Sequence, residues 1–156
     1  MRHSTRETID CIGITEEDAS TATKYRSLIV DVLPSVIDEF YDHLRAIGYW
    51  KHFEGIDIER LKALQYEHWR RLFRVDFDEI YITHVTRIGI VHRDRAITPR
   101  LYMQAYGWFT GRLIEELAGL PDVTDADRPR LSAVILKLVH LDMTIALASY
   151  EAALID

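Results

Sequence analysis

The sequence predicts an all-α domain of six to eight helices of uneven length. Three observations lead there. Glycine and proline are scarce, 7 and 4 among 156 residues, too few for a turn-rich all-β chain. Apolar residues recur three and four positions apart along most of the chain, the period of a helix with one buried face. No stretch of useful length alternates apolar with polar residues as a half-buried strand does. With 48% hydrophobic and 28% charged residues, the composition is that of a soluble globular chain, long enough for one domain with a substantial core.

The first fourteen residues are expected to be a flexible segment, and the folded domain to run from 15 to 156. Thr15-Glu16-Glu17-Asp18 has the form of a capping box and opens a helix to about Val32. Pro34 starts or kinks the next, whose inner stripe is Ile37, Tyr41 and Leu44 and which stops at Gly48. A short aromatic stretch, Tyr49-Trp50-Lys51-His52-Phe53, ends at Gly55. Asp57 caps a helix with Leu61, Leu64, His68 and Leu72 on one face. Asp76-Phe77-Asp78-Glu79 is a second capping signal and opens the helix that ends at His92. Thr98 followed by Pro99 reads as an N-cap with proline at the first helical position, starting a long helix to about Leu117. Gly119 and Pro121 stop it. Thr124 or Asp125 starts the last helix, which carries Pro129 in its first turns and is expected to reach Leu154.

Several function classes drop out. A net charge of −6 and the lack of a basic stripe make nucleic acid an unexpected partner. Cys11 is the only cysteine, which excludes an internal disulfide, a thiolate zinc cluster and a Cys-x-x-Cys-His covalent haem attachment. The most apolar region, Leu131 to Leu154, is interrupted by Lys137, His140, Asp142 and Glu151, so no membrane span is expected. The first residues lack the apolar run of a signal peptide, and a cytoplasmic location follows as the simplest expectation. His-Glu-x-x-His, paired Glu-x-x-His, serine–histidine hydrolase and phosphate-loop motifs are absent.

What remains is His92. Ile88, Val85 and Tyr81 lie four, seven and eleven positions before it and share its helical face, so the imidazole points inward. Such a histidine is either a core side chain bonded to a backbone carbonyl or a ligand offered to an iron. Coordination through Nε2 requires that the Nδ1 proton find its own acceptor, and the Ile88 carbonyl, one turn back, is the local candidate.

The surrounding residues carry a resemblance. Phe40-Tyr41-x-His43-Leu44, Leu61-x-x-Leu64-x-x-x-His68-Trp69-x-x-Leu72-Phe73 and Ile88-Gly89-x-Val91-His92 through Ile97-x-Pro99-x-x-Tyr102-Met103-x-Ala105 are similar to the globin-coupled sensors, bacterial oxygen-sensing globins. The similarity spans roughly residues 15 to 155, and the last motif is the most specific. It implies a globin-like fold, non-covalently bound haem b and His92 as the proximal iron ligand. It implies that Tyr102 reaches that imidazole, and that Tyr41 is the distal donor to O2. A gas that gains partial negative charge accepts a hydrogen bond worth about 1.5–3 kcal/mol. Carbon monoxide and nitric oxide are further ligands, and carbon monoxide gains less from such a donor. Leu64 falls where some members carry a second polar group, which leaves Tyr41 as the main donor, with Gln65 as a helper. His68, nearer the pocket edge, is expected to be a packed or surface histidine, with a second axial ligand as the alternative.

The family joins this globin to an output module such as a diguanylate cyclase, a histidine kinase or a chemotaxis transducer, which would lie beyond residue 156. The domain itself is then a sensor and not an enzyme. Two alternatives use the same residues differently: a haem enzyme such as a nitric oxide dioxygenase or peroxidase-like globin, and a haemless globin-like signalling domain. From Leu131 to Leu154 the apolar residues cover more than one helical face. Together with the resemblance, this leads to the expectation of a homodimer through the last two helices.

Overall fold

In the computed structural model of the protein, residues 2–151 are described. Among them, six α-helices and one 3-10 helix follow in the order α1 (Arg2–Ile12), α2 (Glu16–Ala46), the 3-10 helix Tyr49–Phe53, α3 (Ile58–Leu72), α4 (Glu79–Asp94), α5 (Pro99–Ala118) and α6 (Arg128–Glu151). No strand occurs among the described residues. The arrangement is the globin-like all-α fold that the sequence predicts.

The segment 1–14 departs from expectation, since it carries α1 instead of a flexible arm. Ile9 and Ile12 of the short helix, with Ile14 just beyond it, pack on the core, and α1 lies against α6. Gly13, at φ +75°, ends it. The Gly13 and Ile14 amides both donate to the Ile9 carbonyl, at 3.0 and 3.1 Å.

Thr15 then caps α2 as a reciprocal box. The Thr15 N–H donates to Asp18 Oδ2 at 2.9 Å, and the Asp18 N–H to Thr15 Oγ1 at 3.2 Å. The two helices expected on either side of Pro34 are one, of 31 residues. An internal proline costs about 3 kcal/mol. Burial of Ile29, Leu33 and Ile37, each contributing about 1.5–3 kcal/mol, offsets it.

Boundaries elsewhere shift by a few residues. The cap of α4 is Asp78, not Asp76, and its carboxylate accepts from the Tyr81 N–H at 2.7 Å. A separate turn occupies 124–127, in which Thr124 Oγ1 accepts from the Asp127 N–H at 3.2 Å. The last helix therefore begins at Arg128. Its expected end near Leu154 lies outside the described residues.

Helix α6 is the centre of the domain, in contact with α1, α2, α3, α4 and α5. That position explains its breadth of apolar surface. Leu131, Val134, Ile135, Leu138, Leu141 and Ile145 are all buried within the subunit. Although α6 is long and apolar enough to cross a membrane, it bears the fully buried Asp142, hydrogen-bonded by side chains from three neighbouring helices. It is a core helix.

Candidate functional site

Helix α3 packs chiefly on α2, and α4 on α6. Between α3 and α4 lies a cavity of about 430 Å³, closed by side chains from α2 and α5. All seven residues singled out from the sequence line it: Tyr41 from α2, Leu64, Gln65 and His68 from α3, Ile88 and His92 from α4, and Tyr102 from α5. The rest of the wall is mainly apolar or aromatic, including Phe40, Phe53, Leu61, Val91 and Ile97.

His92 stands near the end of α4, where the backbone fixes it. The Ile97 N–H donates to the His92 carbonyl at 3.0 Å and the Ala96 N–H to the Arg93 carbonyl at 2.8 Å. This is the paired closure of a helix end, with Ala96 at φ +59°. The Thr98 side chain then caps α5 by accepting from the Leu101 N–H at 3.2 Å. His92 Nδ1 donates to the Ile88 carbonyl at 2.8 Å, the acceptor expected from the sequence. Nε2 has no hydrogen-bond partner among the described residues. Burial pushes the imidazole below its ordinary pKa. The Ile88 bond opposes this, while the His68 and Arg95 charges add to it. A neutral ring with a free Nε2 is the form that binds a metal.

Tyr102 is buried, and its ring meets the His92 ring edge-on, with centroids 5.0 Å apart. Its hydroxyl goes neither to the imidazole nor to the surface. It pairs with the Tyr106 hydroxyl at 2.9 Å.

Tyr41 is buried between Phe40 and Phe53, with ring centroids 5.4 and 5.6 Å away. Burial pushes its phenol well up, so it stays a neutral donor. The hydroxyl has no partner among the described residues, although it lines the cavity. Gln65 contributes a buried Oε1 that is likewise unpartnered. Buried polar atoms are nearly always hydrogen-bonded, so an unpartnered Gln65 Oε1 and a free Tyr41 hydroxyl on one largely apolar cavity mark a space built for a ligand.

On α3, the expected order of depth is reversed. Leu64 is the residue at the mouth, 57% exposed, whereas His68 is buried. His68 Nε2 bonds to Asp142 Oδ2 at 2.9 Å, and its Nδ1 is buried without a partner. The sequence reading treated Asp142 only as an interruption in an apolar run. It lies four residues after Leu138 and three before Ile145, on the inward stripe, and that spacing is the signal that identifies it. Tyr106, His84 and Arg87 also line the cavity and were not singled out from the sequence.

Among the described residues, no three His, Cys, Asp or Glu side chains gather to hold a bare metal ion. The cavity offers the His92 imidazole, neutral and with Nε2 free, in a largely apolar setting, which suits a metal that brings most of its own ligands. Haem is such a group, and these residues fit it.

Comparison with known proteins agrees. The chain is 26% identical over 152 residues to the heme-based aerotactic transducer of Halobacterium salinarum, an alignment covering 88% of this chain and 30% of that protein. The chain thus spans about a third of that curated relative's length. Its fold matches the globin domain of the Geobacter sulfurreducens globin-coupled sensor with a TM-score of 0.78 at 21% identity, covering 93% of this chain and 96% of that one. The profile of the Protoglobin family matches residues 2–155, and with nearly the whole chain covered, this protein belongs to the protoglobin family.

Proposed function

We propose that this chain is the haem-based gas-sensing domain of a signalling protein. The observation that carries the reading is His92. Its Nδ1 proton is held by the Ile88 carbonyl, and its Nε2 is left free on a cavity that also takes the unpartnered Tyr41 hydroxyl. Haem b, when bound, supplies an iron able to hold O2, CO or NO. His92 would bind it from the proximal side, and the absence of a Cys-x-x-Cys-His motif makes the attachment non-covalent.

Tyr41 is the hydrogen-bond donor to a bound gas, and Gln65 a second one through its side-chain amide. Leu64 at the mouth and the aromatic wall keep water from the site. The domain senses and does not turn substrate over. The transducer relative supports an output module joined to the chain, and α5 and α6 form a homodimer that passes the signal to it. The surroundings are cytoplasmic, with neither membrane nor nucleic acid as partner.

Absorption spectroscopy tests the central assignment. The purified protein should show a Soret band. His92→Ala should lose stable haem binding and recover it when imidazole is supplied. A variant that keeps the wild-type spectrum without imidazole rejects His92 as the ligand.

A further inference from the structure

Asp142 is fully buried on α6 and is the meeting point of four helices. Its Oδ1 accepts from the Tyr81 hydroxyl of α4 at 2.5 Å. Its Oδ2 accepts from the Tyr106 hydroxyl of α5 at 2.7 Å and from His68 Nε2 of α3 at 2.9 Å. Through Tyr106 the network reaches the Tyr102 hydroxyl at 2.9 Å, and the Tyr102 ring packs on His92. One carboxylate therefore fixes His68 on the α3 wall of the cavity and Tyr106 on the α5 wall.

Stability alone does not account for it. Removing a charge from water costs several kcal/mol, and well-packed apolar replacements of buried ion pairs are often neutral or stabilising. The member of the network with an alternative is His68. It lines the same cavity as His92, on the helix that faces α4 across it. Its two nitrogens are not equivalent. Nδ1 sits beside the carbon that bears Cβ and is the more hindered for coordination. Nε2 is the accessible one, and Asp142 occupies it. A hydrogen bond to a charged partner is roughly twice as strong as one between neutral groups, enough to hold the ring in one orientation.

We infer that Asp142 is a positioning residue that keeps His68 off the iron, so that the coordination position away from His92 stays open to a gas. This rests on the reading of His92 as the haem ligand. With Asp142 in place the His68 ring is tied to α6. Once Asp142 is neutralised, the ring is released and its Nε2 becomes a competing axial ligand.

The test compares wild type, Asp142→Asn and Asp142→Asn/His68→Leu as deoxygenated ferrous proteins. Asparagine keeps the shape but removes the charge and one of the two acceptor oxygens, so the hold on His68 is weakened even where the remaining oxygen still accepts from it. Wild type should be high-spin. Asp142→Asn should shift to a low-spin spectrum with no added ligand, and the double variant should return to high-spin. The inference is overturned if Asp142→Asn stays high-spin, if the low-spin form survives in the double variant, or if wild type is already low-spin until His68 is replaced.

Because Asp142→Asn can fail to fold, nitrogen NMR of the carbon-monoxide-saturated wild-type protein is the second measurement. His68 must carry its proton on Nε2, and a ring protonated on Nδ1 alone overturns the inference. Failure of the underlying haem reading looks different: no Soret band in wild type, or a His92→Ala variant that binds haem as wild type does.

Discussion

A Cβ built on Gly89 would lie 2.2 Å from the Ala146 carbonyl oxygen, closer than any side chain tolerates. The same atom would be 2.3 Å from Ser149 Oγ, itself held by donation to the Ala146 carbonyl at 2.6 Å. Helices α4 and α6 therefore cross backbone against backbone, three residues before His92. The atom in the way is main chain and cannot swing aside. Gly89→Ala should destabilise the fold by about 1–3 kcal/mol, the usual range for overpacking. It should also move His92, because α4 must lift. Urea unfolding reads the first effect and the Soret maximum the second. A variant with wild-type stability would mean that the two helices separate freely.

Tyr41 offers a sharper test of ligand chemistry. Its hydroxyl has no partner among the described residues, so removing it breaks no internal bond there, and phenylalanine keeps the contacts with Phe40 and Phe53. Tyr41→Phe should release O2 about tenfold faster or more, the loss of a hydrogen bond to a charged acceptor. Carbon monoxide release should change much less. Stopped-flow measurement of both gases decides, and equal effects would mean a reshaped cavity in place of a lost donor.

How far these residues were legible in the sequence depended on the range of the interaction. Thr15, Asp57 and Thr98 cap helices through contacts three residues away, so local pattern found them. His92 and Ile88 are one turn apart and were readable for the same reason. Pro34 misled because propensity is local while the core that holds α2 straight is not. The helix in residues 2–12 was missed because its stability comes from docking Ile9 and Ile12 on the core and lying against α6, which no short window contains. Asp142 joins residues 36, 61 and 74 positions away in the chain. A charge in an apolar helix announces that some partner exists but not which one. The depth of Leu64 and His68 was inverted because helical spacing gives a face and not the height of the wall opposite.

Acid should unfold the protein through three carboxylates held low in the folded state. Burial works against the charge of Asp142, but the nearby His68 charge and the hydrogen bonds from His68, Tyr81 and Tyr106 outweigh it, lowering its pKa. At Asp18, burial is again outweighed, chiefly by the Lys137 hydrogen bond and the Thr15 cap. The Lys24 and Tyr25 hydrogen bonds bring Asp127 down to about 2. A carboxyl with a depressed folded pKa binds protons more readily when unfolded, so stability rises with pH across the window between the two values. The contribution is present above the ordinary value of 3.8 and is lost as pH falls through the folded values. Urea midpoints should therefore fall steeply below that value, and Asp127→Asn should flatten part of the slope. Midpoints that hold steady on acidification from pH 5 would sink this account.

The dimer proposal needs a different test from the one the sequence invites. Ile135 and Leu138 are fully buried in the subunit, so a charge at either would probe the fold and not the interface. The outward side of α6 carries Ala133, Leu136, His140, Thr144 and Ala148, with Leu136 46% exposed. On α5, Met103 is 51% exposed, and Gly107 and Gly111 have open space where a Cβ would stand. Small residues beside exposed Leu and Met allow a second helix to approach closely. In a twofold interface each such residue counts twice. The position also suits signalling, because α5 begins at the corner after His92 and carries Tyr102, whose ring touches it. A shift of that ring would move α5 against its partner. Leu136→Asp should turn the dimer into a monomer in light scattering at micromolar concentration. The haem spectrum should stay intact, since Leu136 does not line the cavity. A wild-type chain that is already monomeric at that concentration ends both the interface and this route for the signal.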